Sequence, residues 1–268
     1  IETRERPVPV APEEAAALPY AGLRVLDSTA WWAGPGATMF LAAMGADVIH
    51  VESVKRPDGM RTSAYFARDK GRWWEYSSIS LGANAGKRDI TLSLDEPRGN
   101  ELFRQLIRWA DLVVENYTPR VFDNNFGLTW DEVRRENPGV LLARLPAFGI
   151  DGPWRERSGF AQTMEQLSGM AWVSGWPDGP PVIPGGVCDP VGVMHAAFSM
   201  QLGLMGVRES GQAAIVESPQ SEGVLNLAAE QVLEYSAYGA LLTREGNRGP
   251  GYAPQGLYAC VGTEQWLP

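Results

Sequence analysis

The sequence predicts an α/β fold built on a doubly wound parallel sheet. Three observations point to it. Short β-rich runs recur as LRVLDS, DVIHVE, DITLSL, DLVVEN and residues 140–145. Helical patterns separate most of them. The first strand, turn, helix and second strand fit the compass of one βαβ unit, about thirty residues, which brings the strands together in parallel.

The elements follow in order. Residues 1–20, with Pro7, Pro9 and Pro12, read as an extended linker or arm. LRVLDS is a buried strand. WWAGPGATMFLAAMGA is a turn followed by a small-residue helix, and DVIHVE (47–52) is the second strand. DITLSL (89–94) is the third. Asp95 and Glu96 supply first-turn acids and Pro97 sits at N1 of a helix through Ala110. Leu102, Leu106, Ile107 and Trp109 lie at helical spacing there. DLVVEN (111–116) is a strand. Thr129-x-x-Glu132 forms a capping box, and Asn137-Pro138-Gly139 stops that helix before the strand at 140–145. Residues 145–190 are rich in Gly, Pro and Trp and less regular. Met194–Val207, almost uncharged, reads as a buried helix. Residues 213–217 form a strand, 222–242 one amphipathic helix and 244–254 a loop, and the last residues open another strand. This organisation gives a large domain over 21–225. A connecting helix and the start of a smaller domain occupy 226–268.

Composition narrows the function. The 268 residues are 44% hydrophobic and 21% charged, enough for a core without disulfide or metal staples. Two cysteines, Cys188 and Cys260, exclude a disulfide scaffold and a four-cysteine zinc site. Two histidines, His50 and His195, exclude a three-histidine metal site, and both read as structural. A net charge of −9 argues against nucleic acid and anionic membrane as partners. No apolar run approaches the ~18 residues of a spanning helix. Nothing at the N-terminus reads as a signal peptide, so the cytoplasm is the default.

Four segments carry candidate chemistry. Ala33-Gly34-Pro35-Gly36 loosely resembles a phosphate cradle, but it lacks G-x-G-x-x-G and Pro35 removes an N–H; a tight turn fits as well. Lys87-Arg88 could meet phosphates or form a solvated turn. Asn116 ends a strand where doubly wound folds place ligand groups; turn-capping is the alternative. Asp189, in GGVCDPVGVMH, is either a helix cap or a functional carboxylate at a helix start.

Taken together, GLRVLDSTAWWAGPGATMFLAAMGADVIHVE, NAGKRDITLSLDEPRG, ADLVVENYTPRVFD, GIDGPWRERSGFAQTMEQLSG, GWPDGPP and Asp189-x-x-Gly192 resemble the class III coenzyme A transferases. That family includes the α-methylacyl-CoA racemases. The resemblance runs from Gly22 to the end. It implies a Rossmann-like large domain, an interlocked dimer and coenzyme A (CoA) along the strand ends. The adenine nucleotide portion would lie near the segment after Glu52, at Lys87-Arg88 and at Asn116, with Trp32, Ala33 and Arg120 as further contacts. Asp189 would be the nucleophile that moves CoA from an acyl-CoA thioester to a carboxylic acid. CoA is then a substrate, and neither cofactor nor metal is implied.

Departures are visible. Phe160-Ala161 stand where a racemase carries His-Asp. Trp32 stands where transferases carry a polar residue near the acyl group. Ser53 and Asn124 replace common basic CoA contacts, with Arg120 as a substitute for the second. An acyl-CoA racemase, or a non-catalytic CoA-binding subunit, are the alternatives. The family pattern continues past Trp266, so a longer chain or a second polypeptide is expected to complete the fold.

Overall fold

The computed structural model describes residues 18–63, 71–249, 251 and 253–267; residues 1–17 of the predicted arm lie outside these. In chain order the elements begin β1 Arg24–Asp27, α1 Ala33–Ala43, β2 Asp47–Glu52, α2 Met60–Ser63, α3 Ser78–Ala83 and β3 Arg88–Thr91. Then come α4 Pro97–Trp109, β4 Leu112–Glu115, α5 Trp130–Glu136, β5 Leu141–Arg144, α6 Ala161–Leu167 and α7 Met170–Val173. The chain ends with α8 Cys188–Ser210, β6 Ala214–Glu217, α9 Gln220–Leu227, α10 Ala229–Tyr238, β7 Tyr258–Ala259 and β8 Trp266–Leu267. Two compact units share these. One comprises residues up to Ser158 with Gly192–Gln220; the other comprises Gly159–Val191 with Ser221 onward.

The first unit is the predicted parallel sheet, with strand order β3-β2-β1-β4-β5-β6. Its inner strands β1, β2, β4 and β5 are largely apolar because both faces are covered, whereas the edge strand β3, Arg-Asp-Ile-Thr, is mostly exposed. Val25, Val48, Leu112 and Leu141 pack on one face with Leu41, Ala196 and Met200. Leu26, Ile49, Val113 and Leu142 pack on the other with Phe103 and Ile107. In-register residues of parallel neighbours share a face, so polar residues at matched positions are brought together. Asp27 aligns with His50, and His50 with Asp89; Glu115 aligns with Arg144.

Several expectations are corrected. Ala33-Gly34-Pro35-Gly36 is the buried first turn of α1 and not a loop ahead of it. A side chain at Gly34 would meet Thr29 at 2.4 Å, and one at Gly36 would meet Val193 at 2.7 Å. These glycines permit close packing. Asp95 and Glu96 precede α4, where both bind Lys55. The helix expected over 222–242 breaks at Ala228, because burial supports only its first part. Val224 and Ala228 are buried, whereas Val232, Leu233 and Tyr235 are exposed. Helix α8 starts at Cys188 and is not buried all round: Met194, Phe198, Leu202 and Met205 form an exposed stripe. Contrary to the run-length expectation, α8 is long and apolar enough to cross a membrane by length and composition. Core helices pass the same test, and its Ala196 and Met200 lie in the core of the sheet.

Candidate functional site

The C-terminal ends of β1, β2 and β4 surround a pocket of about 270 Å³. Val51, Leu92, Leu94, Tyr117, Val121 and Phe126 give it apolar walls; Thr29, Ser53 and Asp58 add polar ones. Lys55 and Arg56 bring two cations. Lys55 is paired with Asp95 and Glu96, whereas Arg56 is exposed and makes no ion pair among the described residues. The volume is near the lower end for whole small-molecule sites, about 300–1,000 Å³, and suits one portion of a larger ligand.

The loops around the pocket are held by their own chain. The Asn116 side chain accepts from Ala30 N–H at 2.9 Å and donates to Ala30 C=O at 2.7 Å. Trp31, in the left-handed region at φ 67°, donates its N–H to the buried Asp58 carboxylate. Burial raises the Asp58 pKa. Below the pocket, Glu115 accepts from Arg144 Nε at 2.5 Å and from Tyr117 N–H at 2.7 Å. Burial outweighs the guanidinium and pushes Glu115 up to about 7.

On the other face, Asp27 accepts from Thr29, from Thr38 Oγ1 at 2.5 Å and from Lys87 Nζ at 2.9 Å. Burial alone would raise the Asp27 pKa; Lys87 and His50 outweigh it and hold the carboxyl well below its usual range. Lys87 also donates to Pro35 C=O and Asn84 Oδ1, so its three N–H groups all have protein acceptors. Its side chain is 1% exposed. Arg88 begins β3 and forks onto Asp47 at the start of β2, at the N-terminal edge of these strands.

The predicted CoA contacts are therefore dispersed. Lys87, Arg88 and Asn116 are engaged within the protein, and Ala33 is buried. Trp32, 38% exposed, precedes α1. Arg120 is exposed and opens a π-helical turn, its N–H donated to Glu156. None of the six lines the pocket, whereas Ser53 does. Reasoning from sequence pointed to the segment after Glu52 without naming Lys55 or Arg56, and did not single out Tyr117. The signal was present in two cations just past the end of β2, where such folds take ligands.

Among the described residues, His50, Glu52 and Asp89 form one group close enough to share a metal, their ligand atoms within 4.8 Å of one another. Arg61 already bridges Glu52 and Asp89, at 2.5 and 3.3 Å, and supplies the positive charge there.

Asp189 lies in the second unit, in the first turn of α8. The segment before it turns through Gly185 and Gly186, with φ of 89° and 113°. Glu165 of α6, 0% exposed, takes the N–H groups of that turn. Burial, then the nearby Glu165 charge, raise the Asp189 carboxyl to about 6. Burial, with Asp189 and Glu165, pushes the Cys188 thiol up to about 12, which suppresses the thiolate. A carboxylate of raised pKa at a helix start can act as a nucleophile or a proton acceptor.

Comparison with known proteins gives a consistent picture. Residues 20–267 match CoA-transferase family III. The chain is 35% identical over 243 residues to succinyl-CoA–D-citramalate CoA-transferase of Chloroflexus aurantiacus, covering 90% of this chain and 58% of that protein. It is 31% identical over 270 residues to formyl-CoA:oxalate CoA-transferase of Rhodopseudomonas palustris, covering 91% and 60%. Among solved structures, a CAIB/BAIF family protein from Brucella suis superposes with a TM-score of 0.81 at 28% identity, over 90% of this chain and 64% of that one. The chain thus spans under two thirds of the length of each. The parallel sheet, the pocket at its strand ends and the family match across nearly all its length agree: the chain belongs to CoA-transferase family III.

Proposed function

We propose that this chain carries the CoA pocket and the nucleophile of an enzyme that moves CoA from an acyl-CoA thioester to a carboxylic acid. The observation that carries the reading is Asp189: a partly buried carboxylate of raised pKa at the start of a long helix, in a chain of this family. Partial desolvation makes a carboxylate a stronger nucleophile than one in water.

The steps balance as follows. One Asp189 oxygen attacks the thioester carbonyl; the C–S bond breaks, CoA leaves as thiolate, and an aspartyl anhydride remains. The thiolate attacks the Asp189 carbonyl, releasing the first acid as carboxylate and leaving an aspartyl-CoA thioester. The second acid attacks that thioester and expels the thiolate, giving a new anhydride. The thiolate attacks the substrate carbonyl of this anhydride, so the new acyl-CoA departs and Asp189 returns as carboxylate. The positive end of the α8 dipole favours the negative charge that develops at Asp189. No step needs a metal or a cofactor.

The pocket beside Arg56 would take the nucleotide portion of CoA, with Arg56 on a phosphate. Trp32 and Arg120 are exposed and remain proposed contacts; Ala33, Lys87, Arg88 and Asn116 would act through the backbone they shape. The relatives act, by name, on citramalate, malate and oxalate, all short dicarboxylic acids. A short dicarboxylate is the proposed acceptor. Two relatives are the α and β subunits of succinyl-CoA–L-malate CoA-transferase. A homodimer or a complementing second chain is proposed on that ground, in the cytoplasm.

Incubating the full-length protein with acyl-CoA and hydroxylamine tests the assignment. Asp189 converted to its hydroxamate, found by peptide mass, is the expected result. Full transfer activity in Asp189→Ala would overturn it. CoA binding without any hydroxamate would leave a binding subunit and not an enzyme.

A further inference from the structure

Glu165 is an acidic side chain with no solvent exposure and no cation among its partners in the described residues. Its acceptors serve backbone alone. Oε2 accepts from Gly185 N–H at 2.9 Å; Oε1 accepts from Gly186 N–H at 2.7 Å and Cys188 N–H at 3.4 Å. The first turn of a helix has donors that its own backbone cannot satisfy. Here one of them, Cys188 N–H, and the Gly185 and Gly186 amides just before the helix are met by a carboxylate from another helix, α6, about twenty residues earlier. Cys188 is the first residue of α8 and Asp189 the second. The left-handed Gly185 and Gly186 aim consecutive amides at one carboxylate, an arrangement that suits glycine.

Burying an anion is expensive unless hydrogen bonds compensate it. A second carboxylate close by adds repulsion. The fold accepts both costs within four residues of Asp189. We propose that Glu165 is a positioning residue for the Asp189 nucleophile: it clamps the turn that delivers Asp189 and keeps a negative charge beside it. This rests on Asp189 being the nucleophile. The clamp fixes the attack direction of the carboxylate, and the adjacent charge keeps it a strong nucleophile. Removing the charge would lower the Asp189 pKa and with it the reactivity of the carboxylate.

The test is Glu165→Gln in the full-length enzyme. Gln keeps the length of the side chain but turns one acceptor into a donor facing an N–H. The expected result is a kcat lowered roughly ten- to hundredfold, as for loss of an oriented group, with the KM for acyl-CoA within about twofold. The acidic limb of kcat should also move to lower pH, which a merely structural residue would not cause. Gly185→Ala is the second variant. No atom lies within 3.8 Å of the added methyl, but φ 89° is strained for alanine. It should lower kcat while leaving the acidic limb in place, since the charge remains. Unchanged kcat in Gly185→Ala, or an unshifted limb in a folded Glu165→Gln, overturns the proposal. Hydroxamate at Asp189 in the wild type keeps that failure distinct from failure of the nucleophile itself.

Discussion

Asp189→Asn should stabilise the protein near neutral pH while abolishing transfer. In the folded chain the carboxyl titrates near 6, against an ordinary value of 3.8, because it is partly buried and faces Glu165. Folding therefore binds its proton more tightly. The stability this contributes is fully present below about pH 4 and lost as pH rises through 6. Two units correspond to about 3 kcal/mol. Solvent reaches part of the carboxylate, which reduces the figure to roughly 1–2 kcal/mol. Asn has the shape of the protonated acid and no charge to desolvate, so it escapes the loss. Urea unfolding at pH 8 should show Asp189→Asn more stable by that amount. At pH 4.5 the difference should shrink toward zero. A variant no more stable than wild type at pH 8 refutes the reasoning. So does a gain of the same size at both pH values, which would point to packing and not charge.

Three further outcomes follow from the first unit. Lys87→Met leaves Asp27 buried without its cation and should cost about 3–5 kcal/mol in urea unfolding; a loss under 1 kcal/mol would show that His50 suffices. Arg56→Ala should raise the KM for acyl-CoA roughly tenfold with kcat unchanged, an effect that fades in high salt; equal KM values at low salt would remove Arg56 from the site. Gly59→Ala places a methyl 2.3 Å from the Trp31 ring and should cost about 1–3 kcal/mol by thermal melting, and an unchanged melt would mean that Trp31 swings aside freely.

The sheet was legible because a strand buried on both faces must be apolar throughout. LRVLDS, DVIHVE and DLVVEN could be read without knowing their neighbours. The capping hydroxyl of Thr129 was legible for a similar reason: its acceptor role is played within three residues, on Glu132 N–H. What sequence could not show was non-local. Asp27, sixty residues before Lys87, lies beside it. The backbone of Ala30 takes both ends of the Asn116 amide. Glu165 sat unremarked in AQTMEQL, because only the fold shows it beneath Gly185, Gly186 and Cys188. Helix α8 was read as wholly buried because hydropathy reports content and not direction. Asp189 is proposed as the nucleophile through the resemblance; composition alone favours a helix cap.

The order of strands also constrains how the chain can assemble on the ribosome. β1, β2 and β3 are neighbours in both sequence and space, so the first ninety residues can close half of the sheet during synthesis. β4 and β5 extend it on the far side of β1 with short connections. The sixth strand differs. Between β5 and β6 the chain leaves for Gly159–Val191, which belongs to the other unit, and then returns through α8. Until residue 217 emerges, β5 is an open edge with a row of unpaired backbone groups, the surface most prone to wrong pairing. Without that late strand the edge of the sheet is β5, which is fully buried in the finished fold, and nascent chains stalled between 150 and 214 should be strong chaperone clients.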